Sequence, residues 1–363
     1  MKRNFCVLLF LTQGVFLLGQ SVTLNNITGN TNPLIQSVPF LTYSPDARGM
    51  SLGEAGAATT PDVFSHFYNP AKYAFIKKKF SAAVSYTPWM RSLVPDEHLV
   101  DISSCIQVKP GDVIGVSLRY FSPGERLYFS GSTVSTFKPN EFSTDISYSK
   151  KMSETYSLGV SARYIYSNLY GDMNYNGKIQ HPGKSIAFDL SFFGYDLPLR
   201  FSEKTVLSHG MNISNIGSKI SYNDSGKKFL LPANFRYGVS AKLKNDTLHG
   251  FLITSEISKL LVPSDTSNTG SGLLSSFTDA PGGMSEELKE IYFSAGLEYS
   301  WKKMFFIRSG IFLQNRSKGA GPYYTSGAGI KYNAFGIDVS YLLPLYPGHP
   351  LKETVRFSLN AGF

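Results

Sequence analysis

The chain has 363 residues and a net charge of +9, with only 17% charged residues, 14% aromatic residues and two cysteines. That charge content is below the roughly 25% of an ordinary soluble domain, while a mean hydropathy of -0.10 is too low for a bundle of membrane helices. Strands with one apolar and one polar face give this mixture, and Lys and Arg spread along the chain suit anionic lipid headgroups at least as well as nucleic acid.

Met1–Gln20 opens with Lys2 and Arg3, runs apolar from Phe5 to Leu18 and exits through Gly19-Gln20-Ser21. This is the form of a secretory signal peptide. An uncleaved anchor would need about 20 apolar residues. Cys6 precedes the apolar run rather than ending it, so no lipid-attachment cysteine is expected. It leaves Cys105 as one thiol with no internal partner, and no Cys/His spacing suggests a metal. Residues 21–79 then read as a lead-in and a compact segment ahead of residues 80–363. Ser21–Pro39 is polar and rich in Asn and Thr. Tyr43–Phe75 is rich in small residues and turns, without a period of 2 or 3.6.

From Phe80 the apolar period becomes 2. The alternation marks strands at Phe80–Pro88, Leu99–Val108, Asp112–Phe121, Glu141–Lys150, Tyr156–Tyr166, Ser185–Tyr195 and Val206–Ile216. It continues in Asn234–Leu243, His249–Ser258, Ile291–Trp301, Met304–Leu313, Tyr323–Tyr332, Phe335–Leu343 and Thr354–Phe363. Gly115-Val116-Ser117, Gly159-Val160-Ser161 and Gly238-Val239-Ser240 echo one another, each followed two residues on by Arg or Lys. Their irregular spacing argues for recurring strand chemistry rather than a solenoid repeat.

Connections after strands 2, 4, 8, 10 and 12 are short, as at Lys109–Gly111, Lys302-Lys303 and Asn333-Ala334, while the one after strand 6 is longer. Those after odd-numbered strands are long, notably Ser122–Asn140, Ser167–Gly183, Gly217–Ala233 and Lys259–Glu290. Loops sorted by parity over about fourteen strands predict an all-β fold, a transmembrane antiparallel outer-membrane barrel with tight periplasmic turns, long external loops and periplasmic termini. A sandwich would not sort its loops this way. Closure is required, because an open sheet edge finds no hydrogen-bond partner in hydrocarbon. In the last strand Val355, Phe357, Leu359, Ala361 and Phe363 should face lipid, and Arg356, Ser358 and Asn360 the lumen. The terminal Phe363 resembles the aromatic by which outer-membrane proteins are recognised for insertion.

Fourteen strands enclose more space than their own side chains fill, so the lumen is either plugged or conducts. Tyr43–Phe75 is the candidate hatch, on the periplasmic side of the barrel. Asn69-Pro70-Ala71 reads as an N-cap followed by Pro at the first helical position, and Asp46, Arg48 and Glu54 are placed to pair with polar lumen side chains. A periplasmic leader with no fixed place is the alternative.

The hatch also carries a family resemblance. Ser44-Pro45-Asp46-Ala47-Arg48, Gly53-Glu54-Ala55-Gly56, Ala58-Thr59 and Asn69-Pro70-Ala71-Lys72-Tyr73-Ala74-Phe75 resemble the PorV family, the outer-membrane shuttle of the Bacteroidetes type IX secretion system and a FadL-like fourteen-stranded barrel. Downstream matches are Ile213-Ser214-Asn215-Ile216-Gly217, Lys219-Ile220-Ser221-Tyr222, Leu231-Pro232-Ala233-Asn234, Lys259-Leu260-Leu261-Val262-Pro263 and Arg356-Phe357-Ser358-Leu359. The most specific piece is Phe277-Thr278-Asp279-Ala280-Pro281-Gly282-Gly283. Met50-Ser51 departs from the family's Gly-Gly, and Tyr68 from its usual Trp.

The resemblance implies a non-enzymatic protein without cofactor. It would bind the C-terminal signal domain of secreted cargo, take it from the translocon barrel and deliver it to the sortase-containing attachment complex at the cell surface. Long external loops alone reach an outside partner, so Lys219, Tyr222, Leu260, Asp279, Pro281, Gly282 and Gly283 are the candidate contact residues. Met284–Glu290 reads as a short loop helix capped by Ser285. Lys227-Lys228 and Arg316/Lys318 either meet lipopolysaccharide phosphates or simply hydrate. No nucleophile elbow, phosphate loop or dinucleotide fingerprint occurs. Ser208 and His209 are the nominal catalytic pair, and neighbours on a strand point to opposite faces. The competing reading is a FadL-like channel for hydrophobic small molecules, which calls for a greasy groove among the loops.

Overall fold

The computed structural model describes residues 34–363, apart from 35, 92–93, 95, 131–132, 172–173, 176–177, 200–201, 225–227, 244–247, 263–275 and 277–282. The expected signal peptide and most of the lead-in therefore lie outside the described residues, as do Lys227, Asp279, Pro281 and Gly282.

The strands in chain order are β1 (Phe80–Pro88), β2 (His98–Lys109), β3 (Asp112–Ser122), β4 (Arg126–Ser130), β5 (Thr133–Phe137), β6 (Asn140–Lys151) and β7 (Tyr156–Asn168). They continue as β8 (Asn174–Tyr175), β9 (Lys178–Ile179), β10 (Gly183–Leu199), β11 (Ser202–Gly217), β12 (Asn234–Leu243), β13 (His249–Leu260) and β14 (Ile291–Trp301). The last four are β15 (Phe305–Leu313), β16 (Tyr323–Tyr332), β17 (Phe335–Pro344) and β18 (Val355–Gly362). All except β4, β5, β8 and β9 form one closed antiparallel barrel of fourteen strands, with each strand beside its neighbour in the chain. β18 closes on β1 in the register Val84↔Leu359 and Tyr86↔Phe357.

All fourteen expected strands are present. β4–β5 and β8–β9 are two small hairpins inside the long connections after the third and fifth barrel strands. Their segments run only two to five residues, too short for an apolar period to mark them. The sixth connection is shorter than expected, because β10 and β11 extend to residues 199 and 202. Register shifts at Phe188/Leu190 and Gly194/Leu197 let the pair run on, with Asp196 at φ 50 and Asn215 at φ 59. Such bulges insert an unpaired residue without ending the ladder.

The wall is inverted relative to a soluble protein. Ile102, Ile146, Val160, Phe357 and Leu359 point outward and are exposed, whereas Asp101, Asp145, Ser161, Arg356 and Ser358 point inward and are buried. Outward apolar side chains belong against hydrocarbon, and the closed ladder satisfies every spanning strand's backbone there.

Candidate functional site: a fastened plug and the loop end

Residues 36–77 fill the lumen from end to end. The path begins at the long-loop end, where Leu34 packs with Leu260, Val262 and Tyr292, and the backbone N–H of Ser37 donates to Leu230 O at 3.1 Å. It finishes at the short-turn end, where Tyr73 packs with Cys105 and Val113. Loop parity suggested a hatch held at the short-turn side. The apolar run Val38, Phe40, Leu41 instead needs cover, and finds it among Trp89, Leu99, Phe121, Ile165 and Leu231 at the opposite mouth. There Tyr43 stacks on Trp89 with ring centroids 4.2 Å apart.

Local chemistry shapes the plug. Asp46 caps the Ala47–Ser51 helix, its Oδ2 accepting from Gly49 N at 2.8 Å. Gly53 at φ 68 turns the chain where a side chain would overlap the backbone of Ile311. Asn69 Oδ1 accepts from Ala71 N at 3.1 Å and caps the tight Pro70–Phe75 turn, with Pro70 at its first position. The Asn69 amide also donates to Ala57 O and to Phe192 O of the wall, both at 2.9 Å.

A belt of buried charge fastens the plug. Arg48 donates to Asp62 (2.8 Å) inside the hatch and to Glu298 (3.0 Å) on β14. Glu256 on β13 accepts from the backbone N–H groups of Gly56 and Ala57 at 2.9 and 2.8 Å, and its other oxygen accepts from Arg236 at 2.8 Å. Arg119 reaches Tyr43 O at 3.1 Å and Asp101 at 3.3 Å. Arg163 joins Asp145, Asp189 and Asn215, while Arg308 joins Glu298 (2.7 Å) and Asp338 (2.6 Å). Wall hydroxyls add Ala47 N to Ser358 Oγ (2.9 Å), Gly53 N to Thr325 Oγ1 (3.1 Å) and Ser240 Oγ to Ala58 O (2.7 Å). Each such bond contributes about 1 kcal/mol net, and a buried charge left alone costs several times that.

The plug sits against glycines of the wall. A Cβ at Gly115 would overlap the Tyr73 ring, at Gly159 the backbone of Ala71, at Gly210 the carbonyl of Ala57 and at Gly310 the backbone of Gly53. This explains the Gly-Val-Ser recurrence in β3, β7 and β12. On an inward-facing strand period Gly115 and Gly159 admit the hatch, Ser117 and Ser161 bond to Asp145 and Ser147 on the neighbouring strand β6, and Ser240 bonds to Ala58 O of the hatch. In β3 and β7 the next inward residue, Arg119 or Arg163, joins the charge belt. The recurrence was visible in the sequence, but its meaning needed the hatch beside it. Tyr68 lies over Gly49 and Gly56, and its hydroxyl pairs with Ser44.

Of the candidate hatch residues, Asp46, Arg48, Asn69 and Pro70 come together in this network. Glu54 stands at φ 66 and takes no part in the ion pairs of the belt. Among the candidate loop residues two are interior. Tyr222 is 6% exposed and pairs with Ser167 Oγ at 2.9 Å, and Leu260 is 6% exposed, packed with Leu34, Val262 and Tyr292. Both are apolar enough to be taken into the cluster beneath them, so neither offers a contact surface. Lys219 is half-buried, and Gly283 stands at φ 66 as the N-cap of the Met284–Lys289 helix. Ser285, expected as that cap, lies within the first turn. Ser208 points inward and accepts from Asp196 N at 3.2 Å, while His209 lies against Phe192 and Tyr237 outside.

The Met284–Lys289 helix is pinned by buried lysines. Lys259 reaches Glu287 (2.7 Å) and Glu290 (2.6 Å), and Lys318 reaches Glu286 (2.8 Å) and Glu290 (3.0 Å). Lys318 was expected at a lipid or water surface, and Arg316 instead stacks 4.1 Å over the Tyr346 ring. Hydrogen bonds from Lys289 and Lys318 pull the Glu286 carboxyl down to about 2. Burial lowers the Lys318 ammonium, but its bonds to Glu286 and Glu290 outweigh that and raise it. A carboxylate depressed in the folded state contributes stability above its unfolded value and loses it as pH falls through the folded value. The helix should therefore stay protected from hydrogen exchange at pH 5 and loosen only as pH falls from about 4.5 towards about 2. Lys318→Ala should loosen it at neutral pH; equal exchange in the variant would refute the clamp.

Comparison with known proteins adds the family and the fold. The family model described as type IX secretion system protein PorV matches residues 26–267. No curated protein matches the chain. Among solved structures, the P. putida toluene transporter TodX superposes with a TM-score of 0.54 at 10% identity, covering 88% of this chain and 98% of that one. The CymD monoaromatic hydrocarbon channel gives 0.52 at 10% identity, with 88% and 98% covered.

Proposed function

The chain belongs to the PorV family and is an outer-membrane barrel, and on that premise we propose that it is the type IX secretion component that binds the C-terminal signal domain of exported cargo. It would take the cargo from the translocon barrel and hand it to the sortase-containing attachment complex. In this reading the short turns face the periplasm and the long loops the outside. The observation that carries it is the fastened plug: with the lumen occupied by residues bonded to the wall around its circumference, the loop end is what remains for a macromolecular partner. Interfaces of that kind gather around a few anchored side chains.

The Lys259–Glu290 loop carries the contact. Deleting Ser264–Gly283 in a barrel that still assembles should abolish cargo attachment to the cell surface while leaving barrel levels unchanged. Unchanged attachment would sink the loop assignment. Affinity capture from outer membranes should recover a very large barrel and a sortase-like protease.

The fold shared with hydrocarbon channels favours a second reading, a channel for hydrophobic small molecules. The belt of buried charge across the lumen weighs against it, because an apolar solute would have to displace paired ions. Uptake of a hydrocarbon by liposomes holding the pure barrel would favour the channel; capture of cargo signal domains would favour the shuttle.

A further inference from the structure

We propose that the short-turn rim is an electrostatic collar for the anionic headgroups of glycerophospholipids, in the leaflet that on the reading above faces the periplasm. Lys78, Lys79, Lys109, Lys302, Lys303 and Lys331 are exposed on this rim, and none takes part in an ion pair among the described residues. Of the acids described there, Glu154 is exposed but bonded to Lys151 at 2.7 Å, and Asp112 and Asp196 are half-buried. At the loop end Lys259 and Lys318 are instead buried against Glu286, Glu287 and Glu290, while Lys138 and Lys184 are exposed.

Three further observations choose the partner. The lysines stand just before β1, on β2 and β16 and in the β14–β15 turn, and half-buried Lys242 and the Glu154-paired Lys151 continue the set on β12 and β6. They are therefore distributed around the barrel. A leaflet surrounds a barrel on all sides, whereas one protein partner meets one sector.

The collar also lies next to exposed aromatic side chains. Trp301, Phe305, Tyr332, Phe335 and Phe363 are all exposed at the same end. Trp301 and Phe305 stack 5.6 Å apart, and Lys302 Nζ stands 4.7 Å from the Trp301 ring. Aromatic residues mark the edge of the hydrocarbon in membrane barrels, so ammonium groups beside them stand at phosphate depth.

Finally, Lys302 and Lys303 both adopt φ 53. That turn relaxes with Asn-Gly, which accepts positive φ at no cost. Two lysines held in this strained geometry point to a use for their charge.

The test compares the full barrel in nanodiscs of phosphatidylcholine with nanodiscs that also contain phosphatidylglycerol, reading the unfolding midpoint by loss of the compact band on gels. Phosphatidylglycerol should raise the midpoint by several degrees, and the rise should shrink in high salt as screening shortens. Lys79→Gln/Lys302→Gln/Lys303→Gln/Lys331→Gln should lose most of the rise, while Lys138→Gln/Lys184→Gln at the loop end keeps it. The wild-type comparison stands even if the quadruple variant does not assemble. Equal wild-type midpoints in the two lipids would overturn the proposal, as would a full rise in the quadruple variant. A rise reproduced by inorganic phosphate would assign the collar to free anions. Tighter capture of a poly-aspartate peptide than of phosphatidylglycerol would assign it to an acidic protein. Each of these also overturns the lipid collar. None bears on cargo attachment, so this proposal can fail while the shuttle reading stands.

Discussion

Gly210→Ala should loosen the hatch and let the barrel conduct ions, whereas Gly238→Ala should do neither. A Cβ at position 210 would overlap Ala57 O and press on Asn69 Nδ2. Neither can step aside: Ala57 N is held by Glu256, and the Asn69 amide bridges Ala57 O and Phe192 O. At position 238 the nearest hatch atoms, Ala57 Cβ and Ala58 N, are 3.3 Å from the new methyl, which a shift of tenths of an ångström relieves. Overpacking a site that cannot yield costs about 1–3 kcal/mol, and Gly210→Val should exceed alanine. The readouts are the unfolding midpoint of the folded band and conductance in a planar bilayer. Similar behaviour of the 210 and 238 variants in both assays would mean that the wall glycines do not hold the plug.

The barrel was legible because its strands repeat one simple signal. Alternation every two residues, with loops sorted by parity, needs no knowledge of distant partners. The same holds for Asp46 and Asn69, whose caps bond within three residues. What the hatch does to the wall was not legible. Arg48 and Glu298 are 250 residues apart, and Gly56 and Glu256 are 200 apart. Each looks in sequence like one more polar residue on an alternating strand or in a turn. Tyr222 and Leu260 show the opposite failure. Standing in segments that parity places outside, they read as surface until the path of residues 34–43 brings apolar cover to the loop end. The cap of the Met284–Lys289 helix was misplaced because Ser285 is a good capping type, yet Gly283 takes the position by its backbone alone.

Removing one carboxylate of the charge belt should cost the plug several kcal/mol. Glu298 accepts from Arg48 at 3.0 Å and from Arg308 at 2.7 Å, with its side chain only 10% exposed. Glu298→Ala would leave two guanidinium groups facing one another, each retaining a single acid, Asp62 or Asp338. Breaking a buried pair from one side costs about 3–5 kcal/mol, while replacing both partners with apolar side chains of similar volume is often neutral. Glu298→Leu/Arg48→Leu leaves Arg308 with Asp338 but strips Asp62 of its guanidinium, so it should recover part of the loss, with a measurable coupling between the two positions. Urea unfolding of the folded band measures all three. A cost below about 1 kcal/mol for Glu298→Ala would mean that packing and backbone hydrogen bonds hold the hatch without the belt. The same pair separates plug from function: on the proposed function, a stable Glu298→Leu/Arg48→Leu barrel should still attach cargo, because the loops assigned to the partner are unchanged. If it stays folded and sealed yet loses attachment, then the hatch itself takes part in the exchange, and the loop end alone is not the binding surface.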